Sequence, residues 1–187
     1  MTIAAPLLSE SSYWYLSRAS GFVSLALFTA AVALGLLTAG RVHSPRWPRF
    51  VTESLHRSVS MVAIVLVLLH VTAILLDSFV PITLVDALVP FTSDYRPLWV
   101  GLGAIALDLL LALIVTSLLR TRLSLRVWRY VHWLAYVSWP VAVAHTVGIG
   151  TDRLWVLVVV AVSVLAVVVS GGYRLAGWRR VALRRPM

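Results

Sequence analysis

Long apolar runs recur along this chain of 187 residues, and they constrain its fold more than any other feature. Hydrophobic residues make up 60% of the chain and charged residues only 12%, against about 25% charged residues in a typical soluble domain. A run of about 20 apolar residues can cross the hydrocarbon core of a bilayer. The sequence therefore predicts an all-α integral membrane protein, a five-helix transmembrane bundle with helices at 13–38, 52–76, 98–119, 127–147 and 153–173.

The segments outside these helices complete the predicted organisation. Residues 1–12 form a short polar lead, residues 13–173 the membrane domain and residues 174–187 a basic tail. The connection at 77–97 contains three Asp and three Pro, and we expect it to include a short interfacial helix near 82–89. No basic segment precedes the first apolar run, so we expect no cleavable signal peptide.

The basic residues predict the orientation of the bundle. All 16 of them are Arg, and 13 fall after the first helix, after the third helix or in the tail. The opposite side holds three, which are Arg18, Arg96 and Arg153. Because cytoplasmic loops of membrane proteins carry an excess of basic residues, the N-terminus is predicted outside and the C-terminus in the cytoplasm.

The same composition limits the partners and the chemistry of the chain. The net charge of +9 is accounted for by this topology, so we expect membrane lipid and no nucleic acid as a partner. The absence of Lys suggests a bacterial protein, and we expect it to be a multi-pass protein of the bacterial cell (inner) membrane. The chain contains no Cys, which excludes disulfides and thiolate metal sites.

Four histidines stand in two pairs on two of the apolar segments. His56 and His70 are 14 residues apart on the second predicted helix, and His132 and His145 are 13 apart on the fourth. These helices run in the same direction, and 14 residues span about 21 Å along a helix axis. The predicted pairs are therefore His56 with His132 near the inner face and His70 with His145 near the outer face.

Angular phase is a second test of this pairing. At about 100° per residue, His70 returns to within about 40° of His56. On an ideal helix His132 and His145 would instead be about 140° out of phase. Pro140 lies between them, and a proline inside a helix kinks or breaks it, so the sequence predicts a distorted fourth helix.

The paired imidazoles favour a cofactor role. A lone membrane histidine is often a packing or hydrogen-bonding residue, but four at two matched depths would be costly if unsatisfied. Imidazole pairs without thiolates suit low-spin b-type haem. We therefore predict two haem b groups, whose iron is ligated axially by His56, His70, His132 and His145.

Two short stretches add to the pattern of histidines, namely WYLSRASG at 14–21 and LHRSVS around His56. With them, the chain resembles the ferric reductase-like transmembrane domain family over about residues 13–173. That family includes the NADPH oxidases, the yeast-type ferric reductases and the haem membrane subunit of the bacterial periplasmic methionine-sulfoxide reductase. The resemblance implies two parallel helices that hold two b-haems, with histidine spacings of 14 and 13.

The resemblance also implies a function, which is electron transfer across the membrane by an oxidoreductase subunit. The oxidases carry a flavin- and nicotinamide-binding domain that we expect this chain to lack, so we expect no flavin bound by it alone. A separate cytoplasmic flavoprotein or a quinol would then donate electrons. The expected acceptor lies outside: ferric iron, oxygen, a quinone or an extracytoplasmic redox partner.

Several other residues are candidates for a role around the haems. Arg57 and Arg129 either bind haem propionates or serve only to set the topology of the chain. Further candidates for propionate binding are Arg126 at the inner face and Arg18, Arg96 and Arg153 at the outer face. Asp108, in the middle of the third helix, is either a packing residue or part of a proton or quinone path.

Aromatic residues, glycines and one further histidine complete the set of candidates. Trp133, Tyr136 and Trp139 lie between the ligands of the fourth helix, where they either pack or line the gap between the haems. His43 lies in a basic loop and is expected to be solvated. The glycines expected to permit close helix contact are Gly21, Gly35, Gly101 and Gly103.

Three alternative functions remain open from the sequence. A quinol-linked subunit would have both redox partners outside the membrane. A haem-handling or transport protein would hold exchangeable haem without redox turnover. A channel or a purely structural protein would bind no haem at all.

Overall fold

Helices account for all the regular structure of residues 10–39 and 48–183, which are the residues that this computed structural model describes. His43 and the ends of the predicted lead and tail lie outside these stretches. The helices are α1 (Glu10–Ala39), α2 (Arg49–Leu76), α3 (Leu84–Leu88), α4 (Pro97–Leu118), α5 (Leu125–His132), α6 (Ala135–Ile149) and α7 (Arg153–Leu183).

Four of the helices are long and apolar enough to cross a membrane. They are Ser12–Ala39, Arg49–Leu76, Pro97–Leu118 and Arg153–Ala176. These correspond to the first, second, third and fifth predicted helices, which the structure confirms as helices. The predicted end of the last helix, at Tyr173, is wrong, because α7 continues to Leu183. Arg, Leu and Ala are good helix formers, and the next proline is Pro186.

The fourth predicted helix, 127–147, is not continuous. It is divided into α5 and α6 by Trp133 and Leu134, and the backbone there is wound more tightly than an α-helix. The N–H groups of Leu134, Tyr136 and Val137 donate to carbonyls three residues earlier, at 2.9, 3.0 and 3.0 Å. Bonds of this type define a 3₁₀ turn.

The distortion of the fourth predicted helix lies at this 3₁₀ turn and not at the predicted position. We expected it at Pro140, but Pro140 lies inside α6, which remains helical around it. A 3₁₀ turn has 3.0 residues instead of 3.6, so each residue adds about 20° of rotation. Three such residues reduce the phase difference between His132 and His145 from about 140° to about 80°.

Helix α1 lies at the centre of the packing. It contacts α2, α6 and α7, and α4 in turn packs against α3, α5 and α6. Within the described stretches, α2 does not pack closely against α5 or α6, although these three helices carry the histidines. The residues of α1 that are buried include Ser17, Ser20, Ser24 and Thr29, and each hydroxyl donates to a carbonyl of its own helix. Small residues of this kind let neighbouring helices approach closely.

The connection between α2 and α4 is an ordered structure built around α3. The short helix predicted near 82–89 is found at Leu84–Leu88. Its N-cap Thr83 donates to the Asp86 carboxylate from both its hydroxyl and its backbone N–H, at 2.7 and 2.8 Å. The Thr92 hydroxyl adds a third bond at 3.0 Å. These donors, the Thr83 hydroxyl first, hold the pKa of Asp86 below its usual value.

The end of the connection folds back onto the bundle through two residues of positive φ. Phe91 (φ 69°) packs on Gly101, where an added Cβ would lie 2.3 Å from the phenyl ring. Arg96 (φ 44°) is the N-cap of α4, and its guanidinium donates to the Gly148 carbonyl at the end of α6, at 2.9 Å. The connection is thereby attached to both α4 and α6.

Candidate functional site

The structure brings the four histidines together in two layers. The rings of His56 and His132 face each other with their centroids 6.2 Å apart and their planes inclined at 71°. His70 and His145 also lie near each other. The sequence-derived pairs therefore correspond to neighbours in space.

Helix α1 orients both histidines of α2. The Nδ1–H of His56 donates to the Ala31 carbonyl at 2.9 Å, and that of His70 donates to the Ser17 carbonyl at 2.6 Å. Ala31 and Ser17 are 14 residues apart, like the two histidines, and their order is reversed. α1 and α2 are therefore antiparallel in a register that places each ring against one carbonyl of α1.

Helix α4 orients His145 in the same way. The Nδ1–H of His145 donates to the Trp99 carbonyl at 2.7 Å, and the Ser138 hydroxyl donates to the Ala106 carbonyl at 3.1 Å. A carbonyl can only accept, so Nδ1 carries the proton in His56, His70 and His145. Their Nε2 atoms therefore carry the free lone pair, which is the tautomer required of a metal ligand.

His132 is held differently from the other three histidines. Its Nδ1 is buried and makes no hydrogen bond within the described part of the chain. The indole of Trp128 stacks on the ring, with centroids 4.8 Å apart and planes inclined at 21°. The guanidinium of Arg120 lies 4.8 Å above Trp128. Stacking therefore replaces the carbonyl contact at this position.

Glycines of α1 and α4 make room for three of the imidazoles. A Cβ added at Gly21 would lie 3.0 Å from the His70 ring, and one at Gly103 would lie 2.7 Å from the His145 ring. Gly35 lies beneath His56 with more space, at 3.7 Å. The fourth glycine, Gly101, contacts Phe91. The expectation that the glycines permit close helix contact is confirmed for Gly21 and Gly103, whereas Gly35 has an ordinary spacing and Gly101 contacts the connection between α3 and α4.

The His56/His132 pair has a ring spacing compatible with a shared metal. A metal–imidazole bond is about 2 Å long, so two imidazoles on opposite sides of one metal have ring centroids about 6 Å apart. The 6.2 Å between His56 and His132 fits this arrangement. Glu53 precedes His56 by three residues, the spacing of carboxylate-rich metal centres, but its carboxylate pairs with Arg49 at 2.7 Å. Within residues 10–39 and 48–183, no group of three or more His, Cys, Asp or Glu could hold a metal ion.

The arginine candidates occupy different positions. Arg57 is exposed, and Arg129 lies in a groove with Arg126. Arg18 is half-buried, forms an ion pair with Asp152, and lies over the ring of Trp14. Its charge is therefore already paired. Arg96 donates to a backbone carbonyl, as described above, and Arg153 is exposed.

The aromatic candidates and Asp108 also differ in their burial and in their hydrogen bonds. The indole N–H of Trp139 donates to Thr29 of α1 at 2.9 Å, two residues before Ala31, which accepts from His56. Trp133 and Tyr136 are 55% and 37% exposed, so they face outward. Asp108 is half-buried in α4 and makes no hydrogen bond with the residues that the structure describes.

Sequence reasoning missed the residues that orient the imidazoles. Trp128 precedes His132 by four residues, a spacing that places both on one face of a helix, and this signal could have identified it. Gly21 and Gly35 are 14 residues apart, like His56 and His70, which could have identified α1 as the partner of α2. The acceptors themselves are backbone carbonyls, which have no residue signature.

A helical membrane protein with two layers of paired, oriented imidazoles is the class that this fold and site define. The sequence profile of the family described as ferric reductase-like transmembrane component matches residues 20–143. The chain belongs to this family. The match includes His56, His70 and His132 and ends two residues before His145. No curated protein and no solved structure matches the chain significantly.

Proposed function

We propose that this chain carries electrons across a membrane through two haem b groups. One would be held between His56 and His132, and the other between His70 and His145. The observation that carries the proposal is the common tautomer of His56, His70 and His145, which presents Nε2 as a ligand in both layers. Membership of the ferric reductase-like family supports a redox role.

The protein's own part in this function is to hold and orient the ligands. Haem iron supplies one-electron transfer when bound. The carbonyls of α1 and α4 keep the proton on Nδ1 and fix the plane of each ring, and second-sphere contacts of this kind raise the basicity of a metal ligand. Gly21 and Gly103 let the helix backbones approach the imidazoles. Arg57 would neutralise a propionate near the His56/His132 layer, whereas Arg129 lies with Arg126 in a groove on another face of α5.

The two layers lie at similar distances from the opposite ends of α1. Ala31, which accepts from His56, is eight residues from the end of α1, or about 12 Å. Ser17, which accepts from His70, is seven residues from its start, or about 10 Å. Electrons entering at one face would therefore cross most of the bilayer between the layers.

The proposal includes the direction and partners of transfer. α5 and α6 together would form a fifth crossing, with the N-terminus outside and the C-terminus in the cytoplasm of a bacterial cell. Electrons would enter at the His56/His132 layer from a separate flavoprotein or a quinol. They would leave at the His70/His145 layer, beneath the connection that contains α3, to ferric iron, oxygen, a quinone or an extracytoplasmic redox protein.

A reduced-minus-oxidised optical spectrum of the detergent-purified protein tests the proposal, together with the haem-to-protein ratio of the same sample. Low-spin b-type bands with two haems per chain are expected. One haem per chain would mean that one of the two proposed histidine pairs does not hold a haem. Protein that stays colourless after expression with sufficient haem would overturn the electron-transfer function and favour a channel or structural role.

Histidine variants test the pairing itself. His56→Ala and His132→Ala should each remove the same haem, while His70→Ala and His145→Ala should remove the other. The two variants of each pair should therefore show the same spectrum, that of the haem that remains. If His56→Ala and His70→Ala leave the same residual spectrum, the pairing is wrong.

A further inference from the structure

A groove on the outside of α5 has no place in the function proposed above. Its volume is about 250 Å³, and it is lined by Arg126, Arg129, Tyr130 and Trp133. These positions follow the spacing i, i+3, i+4 and i+7, which places them on one face of a helix. The groove is therefore a continuous strip along α5.

The groove faces away from the histidine layer. At about 100° per residue, the centre of its lining lies about 130° around the helix from Trp128 and His132. Those two residues form the stack that faces His56. A ligand of the groove is therefore different from a ligand of the paired histidines.

The chemistry of the groove favours a phosphate group. Within the described stretches, neither Arg126 nor Arg129 has an acidic or hydrogen-bonding partner. None of the seven acidic residues of the chain lies between 109 and 151, so no carboxylate on the neighbouring segments offsets these charges. A guanidinium presents donors in a fork that matches two phosphate oxygens. Two of them on one helix face form a site for an anion.

The rim of the groove favours a lipid as the source of the phosphate. Tyr130 and Trp133 are 68% and 55% exposed, and their rings meet edge to face with centroids 6.0 Å apart. Exposed Tyr and Trp are typical of the region where a membrane meets water, since their rings are partly apolar and partly polar. The groove also lies beside the point where the chain passes into the apolar helix α6.

We propose that this groove binds the phosphate of an anionic phospholipid. Arg126 and Arg129 contact the phosphate oxygens, and Tyr130 and Trp133 pack against the glycerol and the upper acyl chain. The lipid would occupy the leaflet on the side of the His56/His132 layer. The site would then attach α5, which precedes the 3₁₀ turn, to the membrane surface.

Native mass spectrometry of the full-length, haem-loaded protein tests this site. Phosphatidylglycerol, phosphatidylcholine and inorganic phosphate are added separately, and the bound fraction is measured for each. We expect phosphatidylglycerol to be retained, and Arg126→Gln to weaken it about tenfold, as expected for loss of a charged hydrogen bond. Arg122→Gln is the matched control, because Arg122 is exposed on the same side and outside the groove, and it should retain the lipid.

Each remaining outcome would overturn the proposal. An equal loss in Arg122→Gln would mean that only overall charge matters. Equal retention of phosphatidylcholine, which has the same phosphate but no net charge, would mean that the net negative charge of the lipid contributes nothing. Displacement of phosphatidylglycerol by inorganic phosphate at equal concentration would identify a site for free phosphate instead of lipid. The haem-to-protein ratio, measured on the same samples, distinguishes failure of this site from failure of the haem-based function.

Discussion

At the scale of single residues, the two layers differ in how firmly their imidazoles are held. His56, His70 and His145 each donate to a backbone carbonyl. That bond fixes the tautomer as well as the direction of the ring. His132 has the stack with Trp128 instead, which fixes only the plane of the ring. We therefore expect His132 to be the most easily displaced of the four.

Substitution of Trp128 tests this difference. Trp128→Leu should weaken haem binding in the His56/His132 layer about tenfold, the lower end of the effect of losing an outer partner of a metal ligand. The His70/His145 layer should be unchanged. The measurement is the haem-to-protein ratio, expected to move from two towards one, with electron paramagnetic resonance of the ferric protein to identify the remaining site.

Trp133→Leu is the control for Trp128, because the Trp133 ring lies on the other face of α5 and is 55% exposed. It should retain both haems. Equal haem loss in the two variants would indicate general damage to α5 and contradict a positioning role for Trp128.

Two glycine substitutions form a second matched pair. Gly103→Ala places a Cβ 2.7 Å from the His145 ring, which must move, so we expect loss of the haem in the His70/His145 layer. Gly35→Ala places a Cβ 3.7 Å from the His56 ring, an ordinary contact. It should retain both haems and stabilise α1 by up to about 1 kcal/mol, because Ala loses less backbone entropy than Gly.

The measurement for this pair is haem content together with thermal unfolding of the purified variants. Retention of both haems in Gly103→Ala would contradict the close contact. A loss of haem in Gly35→Ala would mean that even a Cβ at van der Waals distance disturbs the ring of His56.

At this scale the sequence predicted which histidines lie together better than it predicted their surroundings. The 14- and 13-residue spacings identify His56, His70, His132 and His145, since a side chain with metal-binding chemistry inside an apolar run is rare. The carbonyls that orient three of them could not be predicted, because every residue has one and only helix register selects it. His132 lacks such a carbonyl, and it lies immediately before the 3₁₀ turn.

At the scale of elements, the sequence located the helices but not their interruptions. Apolar length predicted α1, α2, α4 and α7 because it requires only composition. The 13-residue spacing predicted a distortion near Pro140, whereas the structure has it at Trp133 and Leu134. Proline marks where one hydrogen bond of a helix is lost, and α6 stays helical around Pro140.

The capping box of α3 gives an element-scale prediction about pH. Because the pKa of Asp86 is lowered in the folded protein, its contribution to stability is present above the usual carboxyl pKa. That contribution is lost as the pH falls through the lowered pKa. The protection factors of the α3 amides against hydrogen exchange, which correct for the intrinsic pH dependence of the exchange, should therefore be high at neutral pH and fall only in acid.

Asp86→Asn provides the comparison at neutral pH. The Asn amide carries no charge, so it accepts the hydrogen bonds from Thr83 and Thr92 more weakly than the carboxylate does. The α3 amides of the variant should therefore be as weakly protected from hydrogen exchange at neutral pH as those of the unmodified protein are in acid. Unchanged exchange in Asp86→Asn would show that α3 is held by its other contacts. Asp94→Asn, an exposed residue of the same connection, is the control and should have no effect.

At the scale of the whole molecule, the remaining question is whether α5 and α6 together cross the membrane. The contacts of Trp99 with His145 and of Ala106 with Ser138 make α4 and α6 antiparallel. α6 therefore returns along α4 towards the face at which α4 begins. A complete crossing would place the end of α6 at the face where α3 lies, and the end of α7 at the face where α4 ends.

Cysteine labelling can decide this topology, because the chain contains no Cys of its own. Single variants Thr121→Cys, Ala176→Cys and Ser78→Cys place thiols at exposed positions after α4, late in α7 and after α2. With five crossings, Thr121→Cys and Ala176→Cys lie on one side and Ser78→Cys on the other. With four, Thr121→Cys and Ala176→Cys lie on opposite sides.

A membrane-impermeant maleimide applied to intact cells should label Ser78→Cys alone, and the other two should react only after permeabilisation, because the Arg-rich ends are retained in the cytoplasm. Labelling of Ala176→Cys in intact cells would remove the fifth crossing, and with it the parallel arrangement of α2 and α6 on which both histidine layers depend.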